Sequence, residues 1–349
     1  MIRKILLENI QKYPDSEITD IVKLIFQNEF GGGHLITDKN KSLDRIRTEQ
    51  QNINECNSAY FAEDIGNGIS RLNLANSNEK ISAEAVNLCF IASAQEIKGS
   101  NESFENKISK LYSLCQEGVM PFSEKQLYEY MQSYKATGYK PVSHSEKYRN
   151  TYKPTYRIIK NEYIKLLEAV TIIERKIKAE KAIIALDGRC ASGKTILAEK
   201  LKKIFNCEII HMDDFFLPFE KRTTERLAEP GGNIDYERFE KEVLNNLKSE
   251  KKFSYGIFNC QTGKIEEYRE IDPSKNIVIE GSYSLHPKFH NEYNIKLFVS
   301  TNPKTQLERI LKRNGPQMLK MFKEKWIPME ERYFNTFNIE SLTDIQIYT

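Results

Sequence analysis

The sequence lacks the features that mark exported, membrane-spanning or zinc-stabilised proteins. Its six cysteines are scattered singly and form no C-x-x-C pair, which argues against a structural zinc site. No apolar run approaches the roughly 18 residues that a membrane-spanning helix needs. The opening stretch "MIRKILLENIQKYP" is typical of an amphipathic helix rather than a signal peptide, because polar residues interrupt its apolar part. These absences predict a cytoplasmic protein with reduced thiols.

The net charge of the chain is also small. The 52 basic and 49 acidic residues leave a formal charge of +3, so the composition gives no reason to expect a nucleic-acid or membrane partner. The length of 349 residues predicts two domains rather than one. The chain shows no internal repeat and no low-complexity linker between them.

The two halves differ in their hydrophobic pattern. Residues 1–175 are predicted to form a mostly helical accessory domain of unknown role, as the 3.6-residue stripe of "SEITDIVKLIFQNEF" indicates. Its last helix is predicted over Thr155–Lys178. In residues 176–349, the short apolar runs "KAIIALD", "CEIIHMD", "KNIVIEG" and "NIKLFVS" alternate with helical segments. Such alternation predicts an α/β domain with a parallel sheet flanked by helices, of the P-loop NTPase class.

The stretch "GRCASGKT" carries the clearest functional signal. It matches G-x-x-x-x-G-K-[ST] and lies between a predicted strand and a predicted helix, as a P-loop must. Its glycines allow successive backbone N–H groups to point at phosphate oxygens, and the helix N-terminus adds a partial positive charge. A bare glycine-rich turn is the alternative. The residues predicted to hold ATP are Gly188, Ala191, Ser192, Gly193, Lys194 and Thr195. The guanine-reading motif N/T-K-x-D does not follow.

Acidic residues follow two of the predicted strands. In an open parallel sheet, the carboxyl ends of the strands border the ligand crevice. Asp213 is therefore predicted to accept a proton from a substrate hydroxyl, and Asp214 to help hold Mg²⁺. Glu280 occupies a Walker-B position and is predicted to hold Mg²⁺ through water, with the Thr195 hydroxyl as a direct ligand. An acidic strand-to-loop turn without function is the alternative for the two aspartates.

Two arginines in "QLERILKRN" lie four residues apart, on one face of a predicted helix. Arg309 and Arg313 are candidates to neutralise the charge on a phosphoryl group during transfer, together with Lys194. A solvated helix face without function is the alternative for both.

The order of these motifs resembles the uridine kinase and phosphoribulokinase family of P-loop kinases, over about residues 181–349. The resemblance rests on the P-loop, "DDFF", "NID", "EG" and the arginine-bearing helix. It implies that Asp213 is the base for the acceptor hydroxyl, that Asp235 binds substrate hydroxyls and that Tyr255 contacts the acceptor. His286, in "EGSYSLHP", is a further candidate for the acceptor pocket, with packing or capping as the alternative.

One segment departs from that family. Uridine kinases carry a histidine in a D-F-x-x-H-S-R segment that helps to recognise the base. Here Asn259 and Cys260 stand in that region, without a matching "HSR". This departure leaves the acceptor open.

Two polar segments of the first half complete the candidates. "FQNEFGGGHLITD" and "GYKPVSHSEKYRNTYKPTYR" are rich in residues that bind an anion or a sugar, although a helix turn and a surface connector explain them equally well. His34 and His144 lie in these segments, and a lone histidine is more often structural than catalytic. A ligand sensor, a homo-oligomer interface and a second enzymatic step remain open for this half.

Together, these observations predict a kinase that uses ATP and Mg²⁺. The predicted reaction moves the γ-phosphate to a hydroxyl of a small metabolite, nucleoside-like or sugar-like. The alternative is a nucleotide-gated regulatory ATPase whose output is the N-terminal domain. The paired aspartates and the "NID" segment favour the kinase, because a switch needs no acceptor pocket.

Overall fold

The computed structural model describes residues 1–53, 60–76, 80–177, 181–249 and 251–349. Two compact units make up the chain, Met1–Glu174 and Arg175–Thr349. Within the described ranges, no helix combines the length and the apolar character that crossing a membrane requires.

The first unit is mostly helical, as the sequence predicts. Serines begin several of its helices; Ser123 and Gln126 form the reciprocal capping box that their spacing indicates. The helices are α1 (Ile2–Lys12), α2 (Ile18–Phe30), α3 (Lys39–Gln51), α4 (Ala83–Glu96), α5 (Asn101–Gln116), α6 (Glu124–Ala136), α7 (Glu146–Tyr152), α8 (Asn161–Ile164) and α9 (Leu167–Ile177).

An antiparallel sheet in this unit was not predicted. Its strands lie in the order β1 (Ala62–Gly66), β2 (Ile69–Asn73) and β3 (Tyr156–Lys160). The prediction of one helix over Thr155–Lys178 is therefore wrong: β3 pairs with β2, and α8 and α9 follow it. The predicted end of that helix, Lys178, lies outside the described residues.

The second unit contains the predicted parallel sheet. Its strands lie in the order β10-β9-β4-β8-β5, and every adjacent pair is parallel. Their ranges are β4 (Ile183–Gly188), β5 (Glu208–His211), β8 (Ile277–Glu280), β9 (Ile295–Ser300) and β10 (Ile345–Tyr348). Four of these strands match the predicted apolar runs, and β10 was not predicted. Parallel pairing places the carboxyl ends of β4, β5 and β8 at one edge of the sheet.

Helices and a hairpin complete this unit. The antiparallel hairpin consists of β6 (Phe253–Asn259) and β7 (Lys264–Ile271). The helices are α10 (Lys194–Phe205), α11 (Thr224–Ala228), α12 (Tyr236–Phe239), α13 (Asn245–Leu247), α14 (Pro303–Met321) and α15 (Ile327–Phe337). A π-helical turn, residues 240–244, joins α12 to α13. Inside α14, Gly315 has φ 77° and ψ 173°, so the helix is broken there.

Aromatic side chains fill the core of the second unit. Phe215, Phe239 and Tyr255 are fully buried with the apolar residues of the central strands, and the Phe215 ring stacks on Tyr255 at 5.2 Å. This packing fixes the loop that follows β5, because Phe215 belongs to that loop. The core thus determines where the two adjacent aspartates lie.

Candidate active site

The loop between β4 and α10 has the backbone of a phosphate-binding loop. Gly188, Ala191 and Gly193 have φ of 144°, 57° and 96°. A Cβ at Gly188 would lie 2.0 Å from the Val299 carbonyl oxygen, so only glycine lets the end of β4 approach β9 this closely. A Cβ at Gly193 would meet no atom within 4 Å. Gly188 therefore allows close packing of β4 on β9, whereas Gly193 gives the loop a left-handed backbone beside open space.

Lys194 lies across this loop. Its side chain is buried, and its ammonium donates to the carbonyl oxygens of Gly188 (2.8 Å) and Arg189 (3.1 Å) and to Ser282 Oγ (3.2 Å). Among the residues that the structure describes, no side chain caps the N-terminus of α10, and the buried Ser192 Oγ has no hydrogen-bond partner. The loop thus offers an ammonium, uncapped helical N–H groups and an unpaired hydroxyl, which are all donors for an anion.

Thr195 and Glu280 come together beside the loop. The Thr195 hydroxyl donates to Glu280 Oε1 at 3.2 Å, and His211 Nδ1 contacts the same oxygen. Glu280 is the last residue of β8 and pairs in register with His211, the last residue of β5. The structure therefore places two of the three predicted magnesium ligands next to each other. His211 was not predicted, although its position at a strand end, two residues before Asp213, was a usable signal.

Asp213 lies in the loop directly after β5. Its side chain is open to solvent, yet burial by the surrounding protein raises the pKa of its carboxyl to about 6, while the Lys194 charge opposes that rise. Asp213 is thus a carboxylate that solvent reaches although protein atoms surround it closely enough to raise its pKa. The charges of Glu280 and Glu330 also raise this pKa. Asp213 is two residues after His211, which contacts Glu280, so the chain brings it close to the Thr195–Glu280 pair.

Asp214 belongs to a different group of side chains. Its Oδ2 accepts hydrogen bonds from the Tyr255 hydroxyl (2.9 Å) and from Arg269 Nη1 (3.3 Å). Arg269 also donates to the Tyr255 hydroxyl at 3.0 Å. Tyr255 is fully buried, so its body is part of the core and only its hydroxyl reaches the aspartate. Asp214 thus joins Tyr255 and Arg269 rather than the Thr195–Glu280 pair.

The two arginines of α14 differ in position. Arg309 Nη1 donates to the Ala191 carbonyl oxygen at 3.2 Å and to Thr349 Oγ1 at 2.9 Å, so it lies against the phosphate-binding loop. Arg313 is exposed, and its Nε donates to Asn314 Oδ1 at 2.8 Å. Only Arg309 of the two contacts the loop in this structure, because Arg313 lies one turn further along the helix, next to the break at Gly315.

Two residues predicted to bind substrate are held by their own unit. Asp235 is 1% exposed; it accepts the Arg238 N–H as the N-cap of α12 and pairs with Lys221 at 2.9 Å. The His286 ring lies 4.3 Å from the Tyr236 ring, and burial lowers its pKa to about 4. Each therefore has a capping or packing role, and neither side chain is free.

Two acidic residues near the loop were missed by sequence reasoning. Asp187 is completely buried and accepts hydrogen bonds from Gly188 N–H (2.7 Å) and the Tyr333 hydroxyl (2.9 Å), while burial raises its pKa to about 6. Glu330 of α15 accepts from Cys190 N–H at 2.9 Å and Ser282 Oγ at 2.7 Å. Asp187 had a signal, since it ends the apolar run before the loop. No sequence signal indicated Glu330, because 140 residues separate it from Cys190.

Comparison with known proteins finds a curated protein that resembles part of this chain in sequence. No family model matches the chain. Uridine-cytidine kinase C of Dictyostelium discoideum is 22% identical over 136 residues, which cover 38% of this chain and 30% of that protein. This match confirms, for a region of the chain, the resemblance to uridine kinase-like P-loop kinases. The chain is matched to less than a third of that relative's length, so its activity and substrates do not carry over as a whole.

Solved structures give a weaker likeness. A possible uridine kinase from Bacillus stearothermophilus has a TM-score of 0.39 and 19% identity, covering 50% of this chain and 95% of that one. An uncharacterized protein from Eubacterium ventriosum has a TM-score of 0.28 and 17% identity, covering 48% and 88%. At these scores neither structure adds an argument about function.

Proposed function

We propose that the uridine kinase-like region moves the γ-phosphate of ATP to a hydroxyl of a small metabolite, of nucleoside or sugar type. The observation that carries this proposal is the position of Asp213, an open carboxylate with raised pKa beside a P-loop. A carboxylate at this position can take a proton from an acceptor hydroxyl or from water, and the acceptor screen below distinguishes transfer from hydrolysis.

The donor side of the proposal rests on the loop. Lys194 and the uncapped start of α10 provide the positive groups that a triphosphate requires, and Gly193 leaves open space beside them. Arg309 already contacts the loop through the Ala191 carbonyl oxygen. Of the two arginines, Arg309 would therefore have to move least to contact the phosphoryl group and neutralise its charge during transfer.

The magnesium site that we propose consists of Thr195 and Glu280. Among the described residues, no group of three or more histidine, cysteine, aspartate or glutamate side chains is arranged to hold a metal ion. A hydroxyl beside one carboxylate nevertheless fits Mg²⁺, which keeps several waters and takes phosphate oxygens as ligands. When bound, the ion would neutralise phosphate charge. Glu280 in turn orients the Thr195 hydroxyl, and His211 holds the carboxylate from the other side.

The acceptor side of the proposal uses Asp213 as the general base. Its carboxylate accepts the hydroxyl proton while the acceptor oxygen bonds to the γ-phosphorus and the bond to the leaving ADP oxygen breaks. A pKa of about 6 suits this role, since the carboxylate is mostly ionised near neutral pH and is more basic than an ordinary aspartate. The group formed by Asp214, Tyr255 and Arg269 fixes the adjacent backbone, so it positions Asp213 rather than reacting.

An acceptor screen tests the proposal. Purified protein is incubated with ATP and MgCl₂ together with separate pools of nucleosides, sugars and small polyols. ADP release and the masses of the products are followed. We expect ADP release to depend on one pool, with a product heavier by one phosphoryl group. The Lys194→Ala variant should be inactive with the same pool.

Two outcomes would contradict the kinase. ADP release at the same rate in every pool, and without any acceptor, would support the nucleotide-gated ATPase instead. Absence of nucleotide binding by the wild-type protein would refute the role of the loop itself.

A further inference from the structure

A buried arginine lies at the centre of the first unit. Arg71 of β2 is 4% exposed; its Nε and Nη2 donate to Gln27 Oε1 at 3.0 and 2.8 Å, and its guanidinium lies over the Tyr156 ring at 4.9 Å. Its Nη1 makes no hydrogen bond within the described ranges. The nearest carboxylate oxygen, Glu63 Oε2, is 3.9 Å from Nη1, which is too far for a hydrogen bond. Glu63 is already bound by Lys12 at 2.8 Å.

A second cation lies close to Arg71. Asp20, Lys23 and Gln27 share one face of α2 because they are three and seven residues apart. The Lys23 ammonium donates to the Val142 carbonyl oxygen at 2.6 Å, and in the part of the chain that the structure describes it has no carboxylate within 4.0 Å. Burial, and to a smaller extent the Arg71 charge, lower the pKa of Lys23 to about 8.

The one carboxylate beside Lys23 is used by other groups. Asp20 accepts hydrogen bonds from Ser145 N–H (3.0 Å) and Ser145 Oγ (2.6 Å) and contacts His144 Nδ1 at 2.7 Å. Burial lowers the pKa of His144 to about 4, so its imidazole is neutral near pH 7 and adds no charge. Asp20 therefore leaves Lys23 and Arg71 without a directly bonded anion.

The hydroxyl of Tyr148 is a third polar group, in addition to the cations of Lys23 and Arg71. Its ring stacks on His144 at 4.1 Å with an interplanar angle of 4°, and the side chain is 3% exposed. Its hydroxyl has no hydrogen-bond partner among the described residues, yet it is not one of the fully enclosed unpaired atoms, so solvent reaches it. Contacts link Tyr148 to Arg71: His144, on which the Tyr148 ring stacks, contacts the Tyr156 hydroxyl at 2.7 Å, and the Arg71 guanidinium lies over the Tyr156 ring.

We propose that Lys23, Arg71 and Tyr148 form a second ligand site, in the first unit, for a small molecule that carries a phosphate or carboxylate group. Within the described ranges, all three side chains keep hydrogen-bond donors that no protein acceptor saturates. An oxyanion would accept hydrogen bonds from these donors and balance the two positive charges, since buried cations are ordinarily paired.

Binding measurements on the full chain test this site. The Lys194→Ala background removes the main phosphate donor of the other unit, so that binding there does not mask the result. Titration calorimetry with inorganic phosphate, phenyl phosphate and malonate distinguishes a phosphate from a carboxylate ligand. We expect at least one probe to bind at millimolar concentration or better. Lys23→Met should weaken that binding about tenfold or more, as loss of a charged hydrogen-bond donor does.

Tyr148→Phe is the decisive variant. Because its hydroxyl has no partner in the described part of the chain, the substitution should leave the midpoint of chemical unfolding unchanged while weakening binding about tenfold. Lys125→Met is the matched control, since Lys125 is 86% exposed in the same unit. Failure of all three probes to bind, or binding that neither Tyr148→Phe nor Lys23→Met weakens, would overturn the site. Binding to the wild-type protein that is absent from the Lys194→Ala background would assign the anion to the P-loop instead.

Discussion

Thr195 Oγ1 and Glu280 Oε1 lie 3.2 Å apart, although 85 residues separate them in the sequence. Parallel pairing produces this contact, because β4 leads into α10 and its neighbour β8 ends at Glu280. The pair joins the hydroxyl of the phosphate-binding loop to a buried acidic group at the carboxyl edge of the sheet.

Glu280→Gln should raise the Mg²⁺ concentration needed for half-maximal activity by about tenfold or more, since it removes the charge that orients the Thr195 hydroxyl. The measurement is a Mg²⁺ titration of ADP release with the acceptor that the screen identifies. Glu208→Gln, at the opposite end of β5, is the matched control. An unchanged Mg²⁺ dependence of Glu280→Gln would remove this residue from the metal site.

Lys194→Ala should lower turnover about 100-fold or more and leave the fold intact, because the ammonium offsets phosphate charge. Steady-state kinetics and circular dichroism measure the two effects. Lys202→Ala, an exposed position on the same helix, should retain activity. Near-normal activity of Lys194→Ala would show that the loop does not serve as a kinase P-loop.

Substitutions of the two adjacent aspartates should have different effects. Asp213→Asn should retain ATP binding and lose transfer by about 100-fold or more, because the base is gone. Asp214→Asn should instead destabilise the unit by about 1–3 kcal/mol, since Tyr255 and Arg269 lose a charged partner. ATP affinity, turnover and urea unfolding are measured for both. Equal loss of ATP binding and transfer in Asp213→Asn would move Asp213 to a metal-binding role.

Gly188→Ala should distort the loop and abolish nucleotide binding, because the new Cβ would lie 2.0 Å from the Val299 carbonyl oxygen. Gly118→Ala is the control for backbone strain alone: its φ of 72° is also left-handed, but a Cβ there meets no atom within 4 Å. Nucleotide titration and thermal unfolding measure the effects. Retained binding in Gly188→Ala would mean that β4 and β9 are less closely packed than described.

Acid should destabilise the first unit through His144. Its pKa is about 4 in the folded chain and 6.5 ordinarily, so the unfolded chain binds the extra proton between these values. The free energy of unfolding should therefore fall by up to about 3 kcal/mol as pH drops from 6.5 to 4. The pKa of Asp20, which is also lowered, adds a loss below its ordinary value of 3.8.

The variant His144→Gln isolates this effect. Urea unfolding at several pH values should show a smaller pH dependence than in the wild type, whereas His34→Gln, at an exposed histidine, should change it less. An identical pH dependence in wild type and His144→Gln would exclude His144 as the origin.

The sequence predicted those features that local patterns encode. The loop from Gly188 to Thr195 was recognisable because its chemistry requires glycine, lysine and threonine at fixed spacing. The four apolar strands of the parallel sheet were visible for a similar reason, since strands buried on both faces are nearly continuous apolar runs. Glu280 and Asp213 followed from their positions at the ends of such strands.

Features that depend on distant partners were not predictable. Strand β3 reads as the start of a helix, and only its pairing with β2, more than 80 residues earlier, makes it extended. By contrast, the Asn67–Gly68 turn between β1 and β2 is a local hairpin signal that could have been predicted and was overlooked. The role of Asp235 in substrate binding, which the family resemblance implies, stays a prediction; its pairing with Lys221 and its capping of α12 were not predicted.

The hydrogen bonds that Lys194 makes to Gly188 and Arg189 have a consequence for nucleotide affinity. A free lysine loses about 1.5–2 kcal/mol of rotamer entropy when it is fixed in one conformation. Here much of that loss has occurred during folding, so the ammonium needs only to exchange neutral carbonyl partners for charged phosphate oxygens. Preorganisation of this kind favours tight binding of the triphosphate without any additional contact.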